Sequence, residues 1–486
     1  MATNAALKIG WAEVDITPNK PVLLRGQHPA RLAEDVLDPL KAVALVLQAG
    51  DEQAVMVSCD LCAISGELST LMLRKVQEAG TEIDLAKIIL NATHTHTAPE
   101  NSSPRFLYRD IVWPGVDLGN MPIAEYLEFA STQIAQAIVT AWQERQPGGV
   151  AYGLDYAVLA RNRRWVDREG TTKMYGLAPE RFSHIEGSED HGVNFLATYD
   201  ADDQLTGLVV NMAMTAQEIE GMHAVSADVW HFIRQEMRKR FGDNLYVFPQ
   251  VSAAGDLSPH QLYEKEANTR MLKLKNYSMR EELARRIAQA AQNTLPYLTG
   301  TIEKEPVFCH LSETVELPKN LLTEKDVQDA RQELEHWQGN YEEELKKLED
   351  NPALKEEKLW YSAATRAFRH ISRYHNLIQR YQEQQTSTSL LTEIHAIRLS
   401  DIVFISNPFE YYLDYGIQIK ARSPAVQTFI VQLAGNGSYI PSLRSIGGGG
   451  YGSTPVSNIV GPEGGQVLAD ESVGLIRSLW AEENTH

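Results

Sequence analysis

Cysteine is scarce. Only Cys59, Cys62 and Cys309 occur in 486 residues, too few and too odd a number for a disulfide framework. No apolar run reaches the ~18 residues needed to span a bilayer. The longest, such as "KAVALVLQAG" and "QTFIVQLAG", have the length of strands. Positive charge is also short: 45 Lys and Arg stand against 64 Asp and Glu, a net charge of −19. That field argues against nucleic acid and against an anionic membrane surface as partners. The phosphate-cradling pattern G-x-x-x-x-G-K-[ST] is missing, as are the hydrolase elbow G-x-S-x-G and any internal repeat. The opening "MATNAALKIGWAEVDITP" lacks a basic segment followed by an apolar one. The expectation is a cytoplasmic chain, or a secreted one whose leader has been removed.

What is present is ordinary globular composition, 43% hydrophobic and 22% charged, enough to bury a large core. "LKIGWAEVDITP", "DPLKAVALVLQAG" and "EQAVMVSCDL" are β-rich, the last two joined at Gly50-Asp51 as in a hairpin. Helical spacing covers residues 66–80, 122–145, 226–241 and 279–296, with strand-like runs between. Adjacent hairpin strands favour a mixed sheet over a doubly wound one. Residues 321–387 differ: rich in Glu, Lys, Gln and Arg, they read as two long helices turning at Asn351-Pro352. The plain reading is a helical hairpin inserted between the two parts of a body, 1–320 and 388–486. The sharper one is a lid or an arm for self-association. Gly447–Gly450 reads as a flexible loop.

Four stretches carry chemistry. "NATHTHTAPE" sets His94 and His96 two apart at a strand end, where extended geometry points both to one face. Neutral imidazole is the commonest transition-metal ligand; two hydrogen-bonded loop histidines are the bland alternative. "VSAAGDLSPHQ" presents Ser258 after Gly255, or forms a helix cap with Pro259 at the first helical position. "ISNPFEYYLDYG" places Glu410 after a strand, and "LAGNGSYIPSLRSIGGGGYGST" places Tyr439 and Tyr451 twelve apart. Cys59 and Cys62 form C-D-L-C. With no second pair and a strand-like run before them, they read as buried structural thiols rather than a redox or metal motif.

In order along the chain, "GWAEVDITP", "NATHTHTAPE", "ARNRRW", "AGDLSP", "NPFEYY" and "GSYIPS…GGYGST" resemble the catalytic domain of the neutral, non-lysosomal ceramidases. The resemblance covers roughly residues 8–300 and 390–480. It implies an α+β fold, a mixed β-sandwich flanked by helices, and a zinc-dependent amide hydrolase working through metal-activated water. It implies His94, Glu410 and Tyr439 as zinc ligands and His96 as a proton-transfer group. Arg163 and Tyr451 become donors to the substrate carbonyl, and Ser258 a nucleophile or a positioning group. A further ligand histidine of that family has no counterpart here, Met214 or Thr215 standing near its place. Gln217, Glu220 or His223 are the substitutes, and His223 is taken as the choice because imidazole suits zinc. The expectation is also of a chain without the family's C-terminal immunoglobulin-like module. The expected substrate is a small molecule, not necessarily ceramide. An ester, lactone or glycoside hydrolase and a non-catalytic scaffold are the alternatives.

Overall fold

The computed structural model describes residues 3–102, 118–176 and 178–481. Its centre is two β-sheets packed face to face. The larger has eight strands in the order Tyr246–Val251, Leu205–Met212, Gly192–Asp200, Gln146–Tyr156, Leu7–Asp15, Lys41–Ala49, Glu52–Cys59, Ile88–Ala92. Its interior pairings are antiparallel and the pairings at both ends are parallel. The sheet curls so far that its edge strands approach: Asn91 Nδ2 donates to the Pro249 carbonyl at 3.2 Å. The smaller sheet runs Thr3–Asn4, Val307–Pro318, Ser389–Leu399, Ile402–Ser406, Gln427–Val431.

Strands buried on both faces read as continuous apolar runs, which is why Lys41–Ala49 and Ile402–Ser406 lack alternation. Between the sheets, Val43, Leu45, Leu47 and Phe248 meet Phe308, Phe404 and Phe429. On the outer face of the larger sheet lie the helices Gly66–Glu78, Ile123–Gln143, Val229–Phe241 and Met279–Thr294. Leu413–Arg422 and Pro462–Ser478 cover the outer face of the smaller. This is the expected α+β sandwich flanked by helices. No described helix is long and apolar enough to cross a membrane.

The expected helical pair forms as Glu324–Asp350 and Ser362–Glu383, the first opened by a Thr323/Asp326 capping box. The second lies against the body. Tyr361 Oη accepts from the Leu32 N–H, and Arg380 donates to the carbonyls of Pro455 and Asn458. The glycine-rich segment departs from the expected flexible loop. Leu443–Gly448 is a short helix, and Arg164 binds the carbonyls of Ser445, Gly449 and Tyr451.

Between the sheets' edges, buried His310 and His395 face each other, Nε2 to Nδ1, at 3.1 Å. Burial, with Lys87 nearby, pushes His310 down to about 3 and His395 down to about 4. Both are neutral when folded, whereas unfolded imidazole titrates near 6.5. The unfolded chain therefore binds more protons below that value, and the stabilisation drains away as pH falls from about 6.5 toward 4. Going from pH 7.5 to 5.5 should cost about 1.4 kcal/mol per histidine. A His310→Gln/His395→Gln double variant should show a correspondingly flatter urea midpoint against pH. Equal slopes for variant and parent would refute the assignment.

Candidate metal centre

The strand Ile88–Ala92 ends one residue before Thr93, and the chain turns sharply at His94, whose φ is 63°. The two histidines are thus brought together by a turn and not by an extended run. The His94 N–H donates to the Leu61 carbonyl at 2.9 Å, tying this turn to the one that follows Cys59. The His94 Nδ1 lies 2.7 Å from the Cys62 carbonyl. A carbonyl only accepts, so Nδ1 carries a proton and Nε2 is the nitrogen turned toward the cluster. That Nε2 lies 3.2 Å from His96 Nε2 and 3.4 Å from Glu410 Oε2. Cys62 completes the group: its sulfur and a ring nitrogen of each histidine all lie within 4.8 Å of one another, and all three residues are buried.

His96 is held from several sides. Its Nδ1 lies 3.2 Å from Glu220 Oε2, and Gln217 Nε2 lies 2.9 Å from its Nε2. Arg31, itself buried, donates to the His96 carbonyl and to those of Glu220 and Met222, binding the two loops together. Gly26 has a φ of 109°, and a Cβ there would sit 2.4 Å from the His96 ring, so only glycine lets the imidazole in.

Charge follows geometry. Burial opposes ionisation of Cys62, but the two imidazoles outweigh it and bring the thiol down to about 5. Burial likewise opposes protonation of His94, but Cys62 and Glu410 raise it to about 10. Glu220 overcomes its burial through His96 and falls to about 2. A thiolate and a carboxylate facing buried imidazoles form a donor set that suits a borderline-soft cation.

Glu410 pairs backbone to backbone with Tyr439, in parallel two-residue strands. Arg163 Nη2 donates to Tyr439 Oη at 3.1 Å and to the Gly255 carbonyl at 2.9 Å, while Nη1 reaches Tyr175 Oη at 3.1 Å. The Tyr451 ring stands edge-on to Tyr439 with centroids 5.5 Å apart. One residue explains why three of the quoted segments meet. Asp256 accepts from Asn162 Nδ2 and from the Leu413 N–H, both at 2.8 Å, and its carbonyl accepts from the Arg163 N–H. Gly255 lies so close that a Cβ would be 2.4 Å from the Glu410 carbonyl oxygen.

Ser258 forms no helix cap. Leu257–Ser258 pairs with Arg161–Asn162, and the next helix begins only at Lys265. Its Oγ lies 3.0 Å from His260 Nδ1, on the Tyr175 side of Arg163. Of the three substitutes for the missing histidine, the structure sets Gln217 and Glu220 on His96. The His223 ring turns instead toward Arg31 and the Leu32 backbone. Cys59 is buried and its thiol is pushed up, as expected of a structural thiol. Cys62 departs from that expectation. No local spacing signals it: the turn after the strand end brings Cys62 level with His94, 32 residues further on.

The fold is ceramidase-like. The chain is similar to a ceramidase complexed with C2, with a TM-score of 0.66 and 14% identity over 98% of this chain and 76% of that one. It is similar also to the neutral ceramidase from Pseudomonas aeruginosa, with a TM-score of 0.66 and 15% identity over 98% of this chain and 75% of that one. No protein-family model matches the chain, and no curated protein matches it.

Proposed function

We propose that the chain is a zinc-dependent hydrolase that cleaves an amide bond of a small molecule with an activated water. The observation that carries this is the Nε2 of His94, its ring fixed by the Cys62 carbonyl and facing His96 Nε2, Glu410 and the Cys62 thiol. His94, Glu410 and Cys62 would hold the ion, with Tyr439 beside them and Cys62 replacing the absent histidine. What zinc supplies when bound is an acidified water, with a pKa near ~7, and a polarised carbonyl.

The remaining work falls to the chain's own groups. His96 takes the proton from water and returns it to the leaving amine. The Glu220 carboxylate, 3.2 Å from its Nδ1, stabilises the imidazolium in between. Arg163 and Tyr451 stabilise the oxygen that gains charge. Tyr451 keeps its proton, because burial raises its pKa, and so remains a donor. A second reading rests on the 3.0 Å contact between Ser258 Oγ and His260 Nδ1, which suits a serine nucleophile acting on an ester.

Elemental analysis of purified protein, beside turnover of short amides and esters with and without chelator, separates the two. The proposal expects about one zinc per chain, with chelator stopping turnover. Cys62→Ser should weaken zinc retention by about 10-fold or more, since a hydroxyl is a poor substitute for thiolate. Turnover untouched by chelator, together with its loss in Ser258→Ala, would transfer the chemistry to Ser258.

A further inference from the structure

The second helix of the inserted pair, Ser362–Glu383, brings a row of arginines to the edge of the centre. Arg366, Arg369 and Arg373 recur at helical spacing on one face. Arg373 is the innermost. Its guanidinium donates to His28 Nε2 at 3.2 Å and to Ser457 Oγ at 3.0 Å, and it lies 5.5 Å from the centre of the Tyr451 ring. Tyr451 in turn touches Tyr439, whose hydroxyl is held by Arg163 beside Glu410. One guanidinium thus stands two aromatic rings from the proposed ligands.

Among the described residues Arg373 is paired with no carboxylate; its two hydrogen-bond partners are neutral. His28 accepts from it and is therefore unprotonated at Nε2, and burial with Arg373 and His370 holds the ring neutral, down to about 3. The ring stacks on His370 at 4.7 Å, and His370 on Trp337 at 4.0 Å, so flat walls continue outward from the guanidinium. A half-buried cation with no carboxylate beside it is costly in a folded protein, and burial pulls the Arg373 pKa down, in a chain of net charge −19 where carboxylates abound. Such a group is retained where a ligand brings the missing charge.

We infer that Arg373, with Arg369 behind it, receives a carboxylate or phosphate on the substrate. The amide that this chain cleaves therefore belongs to a small anionic molecule and not to a neutral lipid. The inference rests on the hydrolase reading only for the word substrate, so binding is measured apart from turnover.

The probes are succinate, inorganic phosphate and the neutral succinamide, titrated calorimetrically into the full-length wild-type chain, Arg373→Met, Arg373→Lys and the more exposed Arg369→Gln. Anion binding should be at least about tenfold weaker in Arg373→Met and should fall with salt in the wild type. Arg373→Lys should restore part of it, and Arg369→Gln should show a smaller loss in a protein whose folding is not in question. Succinamide should not compete. Between succinate and phosphate, the tighter binder names the anion. Equal binding of succinate and succinamide, equal binding by Arg373→Met and wild type, or no binding of either anion would each overturn the inference. Saturable anion binding with no turnover of any N-acyl amino acid or acylated phosphate ester would uphold the anion site and sink the hydrolase reading instead. If turnover is seen, kcat/KM for an N-acetyl amino acid should exceed that for its uncharged amide, and Arg373→Met should erase the difference.

Discussion

Replacing His94 with alanine should lower turnover by at least about a thousandfold and strip the metal in the same step. Among the described residues no other side chain combines its three contacts: the Cys62 carbonyl on one nitrogen, and His96 and Glu410 at the other. Removing the ring takes away a ligand. It also leaves the Cys62 thiolate facing one imidazole in place of two and takes from the Glu410 carboxylate the imidazole beside it. The backbone should survive, because its hydrogen bond to Leu61 is made by the main chain and alanine meets the same left-handed φ that histidine does. His94→Asn is the check on folding, since asparagine tolerates that conformation better than most residues. Both variants should be folded, metal-poor and inactive. A His94→Ala protein that keeps full zinc and a tenth of its turnover would place the reacting centre elsewhere.

Arg164→Met should produce the largest loss of stability, about 3–5 kcal/mol, as expected when a buried ion pair loses one partner. Arg164 is 1% exposed and Glu186 9%. The guanidinium grips the Glu186 carboxylate through Nε and Nη2 and spends its remaining donors on Tyr412 Oη and on the carbonyls of Ser445, Gly449 and Tyr451. Methionine fills much of the volume but strands the carboxylate, which among the described residues keeps only the hydroxyls of Thr172 and Ser445. It also releases the segment that carries Tyr451. Urea unfolding should show the loss, and turnover should fall with it. Adding Glu186→Gln to Arg164→Met should recover much of the stability but not the turnover, because the carbonyls that position Tyr451 remain unheld. If the double variant is as unstable as the single one, the stranded charge is not the cause.

The features legible in the sequence were those set by local periodicity. The amphipathic helices, the capped hairpin and the continuous apolar strands each arise from neighbours within a few residues. The order of the short segments carrying His94, Arg163, Ser258, Glu410 and Tyr439 came instead from the resemblance, and in the structure contacts run from one of these segments to the next. What stayed hidden was decided at long range. Cys62 looked structural because its partners come 32 and 34 positions later, beyond any spacing rule. His223 looked like the natural ligand by chemistry alone, but Arg31 binds the Glu220 and Met222 carbonyls and orients the loop so that Glu220 reaches His96. Ser258 before Pro259 mimics a helix start. Pairing with Arg161–Asn162 claims that stretch as strand, and no local pattern reports a partner so far away.

The face shared by the two sheets has a consequence for synthesis. Its apolar lining comes from segments far apart in the chain: Leu7, Val43, Leu45 and Leu47 come before the larger sheet is complete, whereas Phe404, Phe429 and Val431 come well after it. A ribosome-bound chain that has completed the larger sheet therefore exposes that greasy surface until the strands of the smaller sheet arrive to cover it. Nascent chains in that condition are prone to clump and to need holding. The centre has the same delay built in, since Glu410 and Tyr439 follow every strand of the larger sheet along the chain. Ion capture by the full donor set can only seal a molecule already assembled, and truncations before residue 440 should accumulate as chaperone-bound or insoluble material rather than as smaller working proteins.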